Sequence, residues 1–251
     1  IMCHENVKSL VMVASHERSG THFAMNSIAF NSRYSVNPHL NFDLEPLGAM
    51  INFTNPNAIK KLFASLSEKK CSSIIKSHFP VEFFSKEGEF FFPKNLKIIY
   101  VYRNPVDTMI SYKNFTDHFN KNNHEGPSCD SFINFTTSSP EGRMMRYQLY
   151  QNKSIIDRWA NHVSGWLEAA DSQTNILPIN YDDLNEDYDV SVNRISDFLD
   201  IHPNEKATRP NKTENTVHIP IDAKPSEEER IQLVALIKGH LTNERLRDLV
   251  R

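Results

Sequence analysis

The chain has 251 residues, 39% of them hydrophobic, and a formal net charge of -3. That length suits one large α/β domain with a substantial core, and the balanced charge excludes a basic field for nonspecific nucleic-acid binding. Three cysteines (Cys3, Cys71, Cys129) are too few and too scattered for a disulfide framework or a paired-ligand zinc site, and no signal peptide or apolar run of the roughly 18 residues of a membrane span is present. A cytoplasmic protein in a reducing compartment is the expectation.

An apolar, β-prone run at Leu10–Val13 is followed by "SHERSGTH" (15–22) and a helical pattern over Gly20–Asn31. A strand that enters a loop and then a helix presents free backbone N–H groups and the positive end of a helix dipole. Arg18 adds a fixed charge, Gly20 allows close backbone approach, and Ser19 and Thr21 offer hydroxyls. The loop therefore suits a phosphate. It lacks the first glycine and the Gly-Lys-Ser/Thr ending of a Walker A motif, which disfavours ATP or GTP; an ordinary turn before a helix is the competing reading for the stretch taken alone.

A helix is expected over Asn57–Glu68, and a second strand over Ser73–Ile75, within "IIKSHFP" (74–80). Period-2 alternation puts Lys76 and His78 on one side of the strand end, the Lys suited to developing negative charge and the His to a proton. The run "VEFFSKEGEFFFP" (81–93) reads either as the lining of an apolar acceptor pocket or as core. A third strand, Leu96–Tyr102, leads through Arg103 into a helix over Pro105–Phe115 that carries Ser111. Arg103 and Ser111 suit a second phosphate; an ion pair of Arg103 with Asp107 at the sheet end is the alternative. Residues 116–150, rich in Asn, Ser and Gly, lose all periodicity and are expected to form a lid or acceptor loop. Helices over Ser154–Ala170, Ser191–Asp200, Glu227–His240 and Asn243–Val250, with a strand over Asn175–Ile179, complete the pattern. Alternating strands and helices imply a single α/β domain over 1–251, with a P-loop-type, mostly parallel β-sheet flanked by helices on both faces. Ligands of such sheets sit beyond the carboxyl ends of the strands, where the residues named above fall.

In this order the motifs resemble the sulfotransferases that use 3′-phosphoadenosine 5′-phosphosulfate (PAPS), in particular their cytosolic small-molecule branch. "SHERSGTHF" is similar to the family's 5′-phosphosulfate loop, with Arg18 for the usual Lys and Glu17 for a usual Pro. "KSHFP" resembles its Lys-Thr-His-Leu-Pro, and "YVYRNPVDTMISYKNF" its 3′-phosphate motif. "RWANHVSGWLEA" (158–169), "LPINYDDL" (177–184) and "ISDFLDI" (195–201) resemble its Trp-x-x-His-Val, Tyr-Glu-Asp-Leu and Phe-Leu-Gly segments.

The resemblance implies metal-free transfer of a sulfuryl group from PAPS to a hydroxyl or amine of a small-molecule acceptor, leaving adenosine 3′,5′-bisphosphate (PAP). It implies that Arg18, Ser19, Gly20, Thr21 and His22 hold the 5′-phosphosulfate end, Arg103 and Ser111 the 3′-phosphate, and Phe23 and Tyr181 the adenine. His78 is then the general base, with Lys76 and Arg18 stabilising charge on the bridging oxygen. A His in that role favours a small-molecule acceptor, because heparan-type members generally use a Glu. The family's Arg-Lys-Gly-x-x-Gly segment is missing; Arg209 or Lys212 is the candidate substitute. Lys212 with Thr216-Val217 bears a faint likeness to a dimerisation stretch whose closing Glu is absent, so a homodimer stays open. Five Asn-x-Ser/Thr triplets (Asn52, Asn114, Asn134, Asn152, Asn211) occur, and a glycan on Asn114 would crowd the cofactor helix, in keeping with a cytoplasmic location. The alternatives are a P-loop-type nucleotide or small-molecule kinase, which needs Mg²⁺ ligands and a Gly-Lys-Ser/Thr loop, and a catalytically silent nucleotide-binding protein.

Overall fold

A computed structural model describes residues 9–42, 56–147, 152–201, 207–211 and 223–251. Lys212, Thr216-Val217 and the triplet at Asn52 lie outside the described residues.

Five strands form a wholly parallel sheet: β1 (Leu10–Ser15), β2 (Ser35–Asn41), β3 (Ser73–Ser77), β6 (Leu96–Tyr102) and β7 (Ile176–Asn180), in the order β2-β3-β1-β6-β7. The residues between β3 and β6 add a two-residue antiparallel hairpin, β4 (Ser85–Lys86) with β5 (Glu89–Phe90), turned by Glu87 and Gly88 at positive φ. The central strand β1 is buried along its whole length, so it is apolar on both faces rather than alternating. Leu10, Met12 and Ala14 point to one face and Val11 and Val13 to the other.

The first face is covered by α2 (Pro56–Glu68), α3 (Pro105–Phe119), α4 (Phe132–Thr137), α5 (Ile155–Ser172) and α8 (Glu227–His240). The second is covered by α1 (Thr21–Phe30) and α7 (Tyr188–Leu199), with the short α6 (Tyr181–Glu186) following β7 directly. Several helix starts follow from sequence: Asn104 caps α3 with Pro105 behind it, and Ser154 and Ser226 accept from Asp157 N and Glu229 N at the starts of α5 and α8.

The expected strands and most expected helices are present within a few residues of their anticipated bounds, and α6 and the β4–β5 hairpin are additional. Ser35–Asn41 is a strand although Pro38 and its polar residues argue against one; it is the edge strand of the sheet, where a missing N–H is tolerated. The segment expected over Asn243–Val250 is helical only as α9, Glu244–Arg247. Within 116–150, α3 continues to Phe119, α4 forms, and Phe132, Phe135 and Met144 are buried in the core. Of the aromatic run at 81–93, Phe84 and Phe91 are buried in that core and Phe83, Phe90 and Phe92 pack against it, which is the core reading of those residues.

Candidate active site

The exits of β1, β3 and β6 lie side by side, because β1 pairs in register with both neighbours: Ala14 stands opposite Ser77 and Tyr100. The order of connections reverses on either side of β1, and the crevice beyond such a switch point is where ligands bind open parallel sheets.

The loop after β1 begins with a hydroxyl pair, Ser15 Oγ to Thr21 Oγ1 at 2.6 Å. Arg18 adopts φ 63 and Gly20 φ 93, both left-handed, and a Cβ on Gly20 would overlap the Tyr181 ring. No side chain caps α1, so its first amides have no competing acceptor from its N-cap residue. Arg18 Nε donates to Ser111 Oγ at 3.1 Å and its guanidinium lies 5.0 Å from the Phe115 ring centroid. Arg103 Nη1 donates to the Arg18 carbonyl at 3.4 Å, and its guanidinium lies over Tyr181 at 4.8 Å. The two stretches that carry the candidate anion-binding residues, with contacts that span 85 and 93 residues of sequence, therefore meet at one edge of the sheet. Asp107 does not take Arg103: its carboxylate pairs with Arg230 at 3.2 Å.

His78 is half-buried, and its Nδ1 lies 2.8 Å from the Ser15 carbonyl oxygen and 3.3 Å from Ser15 Oγ. A carbonyl only accepts, so Nδ1 carries a hydrogen, and in the neutral ring Nε2 holds the lone pair. The His78 carbonyl in turn accepts from His162 Nε2 at 3.1 Å, and His162 Nδ1 accepts from Tyr100 OH at 3.0 Å. Trp166 Nε1 donates to the next carbonyl, that of Phe79, at 3.1 Å. Burial drives His162 well below the usual imidazole value, and the neighbouring His16 lowers it further, so it stays neutral.

Like charges crowd this edge. Burial and then the neighbouring Arg103 lower the Arg18 value. His22 is lowered to about 4, first by burial and then by Lys76, His39, His78 and Arg18. Groups that depress one another in this way gain from an anion among them. Glu17 does not oppose this. Burial pushes its carboxyl up, but the Arg158 guanidinium and the imidazoles of His16 and His78 outweigh burial and hold it far below the usual range. Its negative charge is already matched by Arg158 at 2.5 Å.

Phe23 is buried and meets Tyr181 edge-on at 6.2 Å and Tyr188 at a tilt at 6.0 Å. Arg209 lies over Phe23 and Tyr188, at 5.5 and 5.1 Å, and donates to Asn185. It stands on the aromatic side of the site, with no hydrogen bond to Arg103 or Ser111 among the described residues. Sequence reasoning missed Arg158, His16, His162 and Asn185. His16 stands within "SHERSGTH" and Arg158 and His162 within "RWANHV", but neither stretch says which partners these side chains take.

The sulfotransferase domain family matches residues 8–221. The chain belongs to the sulfotransferase family. Cytosolic sulfotransferase 1 of Danio rerio is 30% identical over 126 residues, 50% of this chain and 36% of that protein. The 3-alpha-hydroxysteroid sulfotransferase of Cavia porcellus is 30% identical over 132 residues, 52% of this chain and 39% of that protein. The chain thus aligns with well under half the length of these curated relatives. A solved structure of a mouse sulfotransferase complexed with PAP shares the fold, with a TM-score of 0.55 at 19% identity, covering 96% of this chain and 88% of that one.

The residues present fit a PAPS-type nucleotide. Ser19 Oγ and Arg103 Nε are buried and have no hydrogen-bond partner among the described residues, and each faces a cost that an oxyanion would remove. Among the described residues no three His, Cys, Asp or Glu side chains are grouped to hold a metal ion, and no helix is long and apolar enough to cross a membrane.

Proposed function

We propose that this sulfotransferase-family chain binds PAPS and transfers its sulfuryl group to a hydroxyl or amine of a small-molecule acceptor, with His78 as general base. PAPS supplies an activated sulfuryl group on a phosphoanhydride. The observation that carries the reading is the Arg18–Ser111 hydrogen bond, with Arg103 on the Arg18 carbonyl, beside a His78 whose Nδ1 is committed to Ser15.

In this reading Arg18, Ser19, Gly20, Thr21 and His22 hold the 5′ end of the nucleotide, and Arg103 with Ser111 holds the 3′-phosphate. Phe23 and Tyr181 flank the adenine. Arg209, stacked on Phe23 and Tyr188, belongs to that aromatic wall rather than to the 3′-phosphate. His78 accepts the acceptor's proton at Nε2, the nitrogen that its Ser15 bond leaves with the lone pair. Lys76 and Arg18 offset charge on the departing oxygen, preorganised and costing no rearrangement during the reaction. Residues 116–150, which begin in the last turn of the Ser111 helix, are the candidate lid or acceptor wall.

A cytoplasmic location accords with the cytosolic relative in Danio rerio and with Asn114, whose buried amide exchanges hydrogen bonds with Ala223 and leaves no room for a glycan.

Calorimetric titration with PAP, without Mg²⁺ and with ATP as competitor, tests the cofactor. Metal-independent binding that favours PAP supports it, and a preference for Mg·ATP moves the reading to a kinase. His78→Ala tests the base: turnover falls by about 10²–10⁴-fold while PAP binding persists. Wild-type protein that binds PAP and transfers to no acceptor would leave a silent nucleotide-binding protein.

A further inference from the structure

The loop after β1 is tied to the body of the protein by a buried charge pair that the proposed chemistry does not use. Arg158, 3% exposed on α5, donates from Nη2 to Glu17 Oε1 at 2.5 Å and from Nη1 to His16 Nε2 at 2.8 Å. Tyr112 on α3 donates its hydroxyl to the same Glu17 oxygen at 3.1 Å. The fully buried His16 donates from Nδ1 to the Glu17 carbonyl at 2.9 Å, and its ring meets those of Tyr112 and His162 edge to face at 5.8 and 5.5 Å. Burial, as the largest effect, lowers His16 to about 4, so it remains a neutral acceptor for the guanidinium.

Two consequences meet at α5. One turn after Arg158, His162 holds the carbonyl of His78, so a single helix grips both the loop and the residue proposed as base. The residue after Glu17 is Arg18, whose φ of 63 disfavours any side chain with a Cβ and persists only where the surroundings over-determine it. The side chains at 16–17 are held by two helices, α3 and α5, and the next residue turns sharply to send its guanidinium to Ser111.

We infer that Glu17 and Arg158 are positioning residues: their pair clamps the backbone at 17 so that Arg18 is held left-handed, faces the anion site, and stays in register with His78. Neither is assigned a contact with the nucleotide in that reading. The inference rests on the PAPS reading of the site. It also accounts for a carboxylate next to an anion site, since Glu17 spends its charge on a buried guanidinium and leaves Arg18 with none to share.

The test is a double-mutant cycle on the whole chain, Glu17→Gln, Arg158→Met and both, read by PAP calorimetry and by amide hydrogen exchange over residues 16–20. Each single change is expected to weaken PAP at least about tenfold and to speed exchange in the loop. The double variant should bind no worse than the weaker single, because either change already breaks the pair. Arg158→Lys, which keeps the charge but loses the fork, should recover part of the affinity that Met loses. Tyr112→Phe removes one donor to Glu17 without emptying the core; it should show a smaller loss in the same direction, and it carries the test if Arg158→Met does not fold. Folded variants that bind PAP like wild type, or losses that simply add, would overturn the positioning role alone. A wild-type chain without PAP affinity would overturn the cofactor reading and the positioning role with it.

Discussion

On one face of the sheet Trp166 stacks on Tyr100 at 5.3 Å and donates to the Phe79 carbonyl, while on the other Phe23 meets Tyr181 and Tyr188 only at an edge or a tilt, at 6.2 and 6.0 Å. The first face is an interlocked aromatic core whose polar tips, His162 and Trp166, end on the backbone of residues 78 and 79. The second is a wall of rings capped by two guanidiniums, Arg103 over Tyr181 and Arg209 over Phe23. The contrast separates two tasks at one sheet edge. The proposed base is fixed from the side that resists repacking, and the proposed nucleotide is met from the side where planar groups and cations are on offer.

That contrast breaks most readily at Trp166. Trp166→Ala removes a fully buried ring and a carbonyl's donor, and is expected to cost about 3–5 kcal/mol of unfolding free energy, measured by denaturant titration. Arg103→Ala on the opposite side should leave the melting temperature nearly unchanged while weakening PAP binding by roughly ten- to a hundredfold, the value of about 1.5–3 kcal/mol for hydrogen bonds to a charged group. A comparable fall in melting temperature would show that the second face is structural too. Gly20→Ala sharpens the comparison. At φ 93, with Tyr181 against the missing Cβ, it should cost about 1–3 kcal/mol and lower PAP affinity as well, because Tyr181 must move.

The most gradual expected effect is that of acid. His16 and His22 are held near 4 in the folded chain and titrate near 6.5 when unfolded, so between those values the unfolded state binds more protons. Stability should therefore fall as pH drops from about 6.5 towards 4, by up to about 1.4 kcal/mol per pH unit for each histidine. Glu17, held below its ordinary value, withdraws its own contribution in the same direction at lower pH. Melting curves across that range check the slope, and PAP at saturation should flatten the His22 part of it, since an anion beside His22 favours its protonated form.

Much of the candidate site is legible in single stretches of sequence. The strand–loop–helix at 10–30 and the strand–Arg103–helix with Ser111 are local patterns, and local chain geometry alone decides them. The edge strand at 35–41 was hidden by Pro38, which a central strand would not tolerate and an edge strand does. The helix at 132–137 was hidden by its polar setting; Phe132 and Phe135 form it because the core beneath them is apolar.

By itself the sequence determined the parallel α/β architecture, the loop that offers amides and a cation to an anion, and the residues at each strand exit, because these depend on period, turn chemistry and the order of elements. Only the tertiary structure decided how charges pair. Glu17 goes to Arg158, Asp107 goes to Arg230 rather than Arg103, Arg18 reaches Ser111, and Arg209 joins the aromatic wall. The three polar pairs, Arg18 with Ser111, Asp107 with Arg230 and Glu17 with Arg158, span 93 to 141 residues and meet only when the sheet is assembled, and among many carboxylates and guanidiniums no local rule selects which pair will share a buried site.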